Sequence, residues 1–288
     1  MNLAIVGSGV IGQATGIGLN KAGNKVVFYD IDNEKLTSLK KKGCQVAHDL
    51  LSTIQSSEVI FVCVPTPSSN ESIDCGILES VISEIGKILS KIRQYKLIVI
   101  RSTVLPTTTR CKIVLLLEKY SNLKAGKDFG VCMNPEFLRE KSSLQDFLNP
   151  SRIIIGQLDK KSGDILEKVY SFFEAPLIRT SLDTAEMIKY AANLFLASKI
   201  SFFNEMYLVC QKIGVDSNVL GTAVAYDPRI GAYGVKGGYP FDGACLPKDL
   251  AAFRTFARSL KIIPKMLDAI SSVNVDMESL KNNKQIKL

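Results

Sequence analysis

Along the first 180 positions, apolar residues fall into short runs separated by stretches in which they recur every three or four residues. The runs at 3–6, 26–29, 59–64, 97–100, 130–133, 152–155 and 177–179 are rich in β-branched side chains and predict strands. Segments between them, such as 75–90 and 107–119, carry helical periodicity. Alternation of this kind predicts a parallel sheet with helices on both faces.

After Thr180 the pattern changes. No Pro or Gly interrupts residues 182–213 before Gly214, and apolar positions keep helical spacing over about eight or nine turns. This helix is apolar round most of its circumference, which predicts burial on several sides. Residues 216–226, 247–260 and 264–280 read as further helices. The expected fold is α/β: a Rossmann-type doubly wound sheet over residues 1–180, then an all-α domain over 181–288 with a long central helix.

Composition narrows the class. A chain of 288 residues with 46% hydrophobic and 22% charged residues reads as an ordinary soluble protein. Residues 1–6 lack the flanks of a signal peptide, and no apolar run reaches the roughly 18 residues of a membrane span. The seven cysteines are odd in number and irregular in spacing, with no CxxC, which argues against a disulfide framework and against a zinc site. The expectation is a cytoplasmic protein with mostly inert thiols and no metal. A net charge of +8 suits an anionic substrate. The lysines are scattered, with small clusters at 40–42 and in the tail, so no nucleic-acid partner is expected.

Candidate chemistry begins at the first turn. The strand at 2–6 leads directly into Gly7-Ser8-Gly9-Val10-Ile11-Gly12 and a helix, and Asp30 ends the second strand. Glycines allow the tight turn and the close approach of a pyrophosphate to a helix N-terminus, while a carboxylate at the second strand binds ribose hydroxyls and repels the extra phosphate of NADP. The expected cofactor is NAD.

A second segment, residues 237–249, is a glycine-rich loop running into a helix that opens with Pro247. Cys245 stands just before that N-terminus, where partial positive charge favours thiolate, and Asp249 lies one turn on. In the long helix, Lys189 and Asn193 are polar at i and i+4 among apolar neighbours; they read either as a clamp for a developing oxyanion or as a lysine whose head reaches solvent. Residues 134–140, with Glu136 and Glu140, follow a strand, as do Val64-Pro65-Thr66 and Arg101-Ser102-Thr103. All three fall at the carboxyl edge of the sheet, where open α/β folds bind ligands. The lone His48 reads as structural.

Taken together, the segments GSGVIG (7–12), VPTP (64–67), STVLP (102–106), NPEFLRE (134–140), NPSRIIIG (149–156), EMIKYAANLFLASKISFFNE (186–205), DPRIG (227–231) and FDGACLPKDL (241–250) resemble the UDP-glucose/GDP-mannose dehydrogenase family. EFLRE and DPRIG are most similar to its UDP-glucose branch. The resemblance implies a four-electron oxidation of a sugar C6 alcohol to the carboxylate with two NAD in turn, through a thiohemiacetal and a thioester on Cys245. It implies oxyanion stabilisation by Lys189 and Asn193, water positioned by Asp249 and Thr103, and Glu136 as general base in thioester hydrolysis. Around the cofactor it places Gly7, Gly9, Val10, Ile11, Gly12, Asp30, Lys35, Pro65, Thr66, Ser102, Thr103 and Glu140. Around the nucleotide-sugar it places Glu136, Phe137, Leu138, Arg139, Glu140, Lys189, Asn193, Lys236, Gly238 and Phe241. Arg229 would reach the substrate of a neighbouring subunit, implying a homodimer through the central helix.

Two departures stand out. Family members continue into another domain, whereas this sequence ends at Leu288; a truncated protein, a split one completed by a separate third-domain partner, and a fragment all fit, and each predicts weak nucleotide-sugar affinity for this chain alone. Asp242 also stands where many members have glycine. Three other readings stay open on the residues: a β-hydroxyacid or hydroxyacyl-CoA dehydrogenase without thiolate chemistry, a non-catalytic NAD-binding relative, and a GDP-mannose or UDP-N-acetyl-sugar enzyme.

Overall fold

A computed structural model describes residues 1–69, 71–92, 94–243 and 245–282. Met1–Pro67 with Ile73–Lys189 forms one compact unit, and Ser68–Ser72 with the chain from Tyr190 onward forms a second. The division falls inside the long helix, beyond the Thr180 boundary read from periodicity. The first turns of that helix pack with the sheet domain: Leu182 and Ala185 belong to its core.

The first unit holds an eight-stranded sheet of β1 (Asn2–Val6), β2 (Lys25–Tyr29), β3 (Gln45–Val46), β4 (Val59–Val62), β5 (Leu97–Ile100), β6 (Gly130–Met133), β7 (Ile153–Gln157) and β8 (Leu177–Ser181). Its order is β8-β7-β6-β5-β4-β1-β2-β3. Side chains alternate between the faces because strand periodicity is two. Leu3, Ile5, Phe28 and Phe61 enter one apolar cluster, while Ala4, Val6, Ile60 and Val62 enter the other. Both faces are buried, so the strands read as continuous apolar runs.

The expectation of a wholly parallel sheet needs one correction. β7 runs antiparallel to β6, with Met133 opposite Gly156 and Cys132 opposite Gln157, and β8 then lies parallel to β7. The connection between β6 and β7 contains a 3-10 turn, Glu140–Ser142, and a short helix, Ser143–Leu148. It stays at one edge of the sheet, which suffices for an antiparallel neighbour, whereas a parallel neighbour needs a crossover that returns along the full strand. The predicted helix over 107–119 also begins differently: Thr107 has φ of 75°, and a π-helical turn, Thr109–Ile113, precedes the α-helix Val114–Ser121.

The second unit is helical. The long helix spans Leu182–Ile213, followed by Ser217–Ala225, Leu246–Ser259 and Lys265–Asn282. Tyr190 packs on Phe253 with ring centroids 5.3 Å apart, and Tyr207 packs near Met277. The long helix is buried on several sides, as its pattern predicts, apart from one exposed stripe. Phe195, Phe202 and Val209 are 67%, 54% and 52% exposed. Their seven-residue spacing puts them on one stripe, while Ala197, Phe203, Tyr207 and Cys210 on other faces are buried. Among the described residues, no helix is long and apolar enough to cross a membrane.

Candidate active site

The turn after β1 is built by steric exclusion. Gly7 has φ of 97°, and a Cβ there would lie 2.8 Å from the carbonyl carbon of Cys63. A Cβ on Gly12 would fall 1.9 Å from the Gly7 oxygen. Nothing lies within 4 Å of the position a Gly9 Cβ would take, so the backbone is open there at the mouth of the helix Val10–Lys21. That combination leaves room for a pyrophosphate against a helix N-terminus. Asp30 accepts hydrogen bonds from the Ser8 N–H at 2.6 Å and the Asp32 N–H at 2.9 Å. A carboxylate offers about four acceptor sites, so capacity remains for two ribose hydroxyls. Lys35 stands 3.9 Å from Asp30 and 3.4 Å from Asp32. These residues fit NAD.

The loops leaving β4 and β5 are stitched together at the carboxyl edge. Thr66 Oγ1 donates to the Thr103 carbonyl at 2.7 Å, and Ser102 Oγ donates to the Val64 carbonyl at 2.6 Å. Beneath them lies Arg101, which the sequence places on this edge after its strand but to which it assigns no role of its own. Its buried guanidinium donates to Thr15 Oγ1 and to Asn134, and Tyr170 Oη donates to the Asn134 side chain. Cys63 lies beside this edge, and burial pushes its thiol up to about 12, which makes it inert.

Glu136 and Lys189 form a buried ion pair. Lys189 Nζ donates to Glu136 Oε1 and to the Glu136 carbonyl, each at 2.7 Å, and the Leu138 N–H donates to Oε2 at 2.7 Å. Burial raises the Glu136 pKa, but the charge and hydrogen bond of Lys189, the Leu138 N–H and the Arg101 charge outweigh it. The carboxyl therefore sits below its ordinary value. Lys189 has three N–H donors, of which Glu136 takes two. Three residues earlier in the long helix is Glu186, also fully buried. It accepts from the Thr109 N–H at 2.7 Å but faces no cation at pairing distance among the described residues, and burial pushes it up to about 7.

In the second unit, Asn193 Nδ2 donates to Asp249 Oδ2 at 2.6 Å. Asp249 is buried in the first turn of the helix Leu246–Ser259. The Lys248 ammonium lies 3.1 Å from Asp249 Oδ1 but out of line for a hydrogen bond, so this oxygen has no hydrogen-bond partner among the described residues. Cys245 occupies the N-cap position of that helix, with Pro247 just inside, and is exposed. Ala244 of the FDGAC motif and the tail lysines beyond 282 lie outside the described residues.

Other expected site residues are engaged locally. Arg139 makes a bidentate pair with Asp146, which that contact holds at about 2. Phe137 lies under Arg152, 3.8 Å from the guanidinium to the ring centroid. Leu138 packs against the core, and Glu140 starts a short 3-10 turn. Arg229 folds back on Asp227 in the DPRIG turn, and Lys236 is exposed. Gly238 and Phe241 are buried, held by Asn204 and Asn274. Sequence reasoning missed these two asparagines. Asn204 carried a signal, since it lies three helical turns from Asn193 on the same face of an apolar helix. Among the described residues, no group of three or more His, Cys, Asp or Glu could hold a metal ion.

Comparison with known proteins agrees with this geometry. The profile described as UDP-glucose/GDP-mannose dehydrogenase family, NAD binding domain, matches residues 44–174, and that family's central domain matches 183–276. A profile described as NADP oxidoreductase, coenzyme F420-dependent, matches residues 2–80. GDP-mannose 6-dehydrogenase of Pseudomonas aeruginosa is 35% identical over 95% of this chain and 68% of its own length. UDP-glucose 6-dehydrogenase of Rickettsia bellii is 37% identical over 97% of this chain and 68% of its own. Among solved structures, a UDP-glucose dehydrogenase from Pyrobaculum islandicum superposes with a TM-score of 0.88 at 32% identity, covering 95% of this chain and 67% of that one. The chain therefore belongs to the UDP-glucose/GDP-mannose dehydrogenase family and is an NAD-dependent oxidoreductase.

Proposed function

We propose that this chain works in the cytoplasm and oxidises the C6 alcohol of a nucleotide-sugar to the carboxylate, UDP-glucose to UDP-glucuronate, with Cys245 as covalent nucleophile. Bound NAD supplies the hydride acceptor for each of the two oxidations. In the first, Asp249 holds a water that takes the hydroxyl proton, through the Oδ1 acceptor that makes no hydrogen bond among the described residues. The resulting aldehyde carbon bonds to Cys245 Sγ as a thiohemiacetal. Loss of the second hydride gives the thioester. Attack by water then breaks the C–S bond, and sulfur leaves as thiolate. Glu136 enters ionised, orients that water and takes its proton as general base. The third N–H of Lys189 and the second amide N–H of Asn193 serve the oxyanion.

The observation that carries this reading is Cys245, exposed at the mouth of a helix that buries Asp249 one turn inside. The test counts NADH released per UDP-glucose consumed. Two per sugar are expected, with acid formation abolished in Cys245→Ala. Undiminished acid formation by that variant would falsify the thiolate role.

A second substrate reading, GDP-mannose, is favoured by the relative at 35% identity. A panel of both sugars with the same NADH readout separates them. We further propose a homodimer through the central helix, supported by the exposed stripe of Phe195, Phe202 and Val209. Arg229 would serve the neighbouring active site. Phe202→Lys should convert a dimer to a monomer in analytical ultracentrifugation.

A further inference from the structure

The segment leading to Cys245 is held by side chains rather than by a regular element. Asn204, fully buried on the long helix, accepts from the Gly238 N–H at 2.9 Å and the Tyr239 N–H at 3.3 Å. Its amide donates back to the Tyr239 carbonyl at 2.8 Å. Asn274, buried on the helix Lys265–Asn282, accepts from the Phe241 N–H at 2.8 Å and donates to the Phe241 carbonyl at 3.1 Å. Its own orientation is fixed by a second donation, to Glu278 Oε1 at 3.0 Å. Each amide thus meets both the N–H and the C=O of one residue, as a neighbouring strand would.

The glycines make this seating possible. A Cβ on Gly237 would fall 2.2 Å from the Phe203 carbonyl oxygen. Gly238 has φ of 98° and lies on the Tyr207 ring. The backbone therefore lies flat on one helix and is clamped to another. Beyond Phe241 the chain turns at Gly243, with φ of 82°, and enters the helix that Cys245 caps. Cys245 follows the Asn274 clamp in the chain and precedes the buried first turn holding Asp249.

We infer that Asn204 and Asn274 are positioning residues that set where the Cys245 sulfur stands. The inference rests on the reading of Cys245 as nucleophile, and it assigns the two amides to the thiol-dependent half of the reaction. Neither touches substrate. Each acts through the loop backbone, where a displacement of about 1 Å is enough to cost roughly a hundredfold in rate.

The test uses the full chain with Asn204→Ala, Asn274→Ala and Asn204→Asp, the last keeping the acceptor for two N–H groups while losing the donor. Two readouts are taken on folded protein: the rate and pH profile of Cys245 alkylation by iodoacetamide, followed by peptide mass spectrometry, and acid formed against aldehyde trapped by hydroxylamine. Both alanine variants should show a shifted alkylation profile and about a hundredfold less acid. Aldehyde should become trappable and the KM for NAD should stay unchanged, while Asn204→Asp should recover part of the loss. Wild-type alkylation and wild-type acid yield in the folded variants overturn the inference. If the alanine variants do not fold, Asn204→Asp decides alone: an unaltered alkylation profile overturns the inference and a shifted one supports it. Cys245→Ala separates the two claims, since acid formation without that thiol sinks the nucleophile reading, whereas the alkylation shift in the asparagine variants requires no turnover.

Discussion

Two carboxyl groups buried in the same unit, Glu136 and Glu186, titrate in opposite directions. Glu136 is pulled below its ordinary value because Lys189 meets it at 2.7 Å. Glu186, three residues before that lysine in the same helix, is pushed up to about 7 by burial; it accepts from the Thr109 N–H, and its Oε2 lacks any hydrogen-bond partner among the described residues. Burial alone does not set the charge of a carboxyl; the presence of a cation does. Glu136 is therefore an anion held in place, while Glu186 exchanges its proton near neutral pH.

The largest effect comes from taking the cation away. Lys189→Met leaves Glu136 buried without its countercharge and should cost about 3–5 kcal/mol in denaturant unfolding, with Glu136→Gln on the same background recovering part of it. A single variant of unchanged stability would remove the electrostatic account. Glu186 gives the next effect and the opposite pH sign. Its folded pKa is raised, so its contribution to stability is fully present below the ordinary carboxyl range and is lost as pH rises through about 7. Across that window wild type should lose up to about 3 kcal/mol relative to Glu186→Gln, read as melting temperature between pH 4 and 8. Parallel profiles for the two proteins would show that the proton is not shared in this way.

The Asn193–Asp249 hydrogen bond in the second unit should respond less. Asn193→Ala removes the donor to Asp249 Oδ2 and should destabilise by about 1–3 kcal/mol, with a larger loss in acid formation than in NAD binding by calorimetry. The smallest effect belongs to Arg139 and Asp146. Asp146 lies at about 2, yet the arginine side chain is 70% exposed, so solvent screening limits the pair. Arg139→Ala should cost under about 1 kcal/mol. The depressed pKa makes that contribution present above the ordinary carboxyl range and lost as pH falls toward 2. A change in substrate KM without loss of stability would return Arg139 to the sugar-nucleotide site.

Legibility in the sequence followed distance along the chain. The strand runs, the glycine turn, Asp30 and the helix opened by Pro247 were readable because each is fixed by neighbours a few residues away. The antiparallel β7 was not, since its direction depends on a loop staying at one edge. The exposed stripe of Phe195, Phe202 and Val209 was hidden for a related reason: an apolar helix announces that it will be covered, but not by which surface.

What the sequence determined by itself is local: where backbone can take positive φ, where a helix mouth meets a glycine, and where a thiol stands beside that mouth. Only the tertiary structure decided the partners. Lys189 finds Glu136 across 53 residues, and Asn193 finds Asp249 across 56. A buried polar side chain announces that it must be paired, because desolvation without a partner is costly, but which atom answers it is settled only when distant segments close around it.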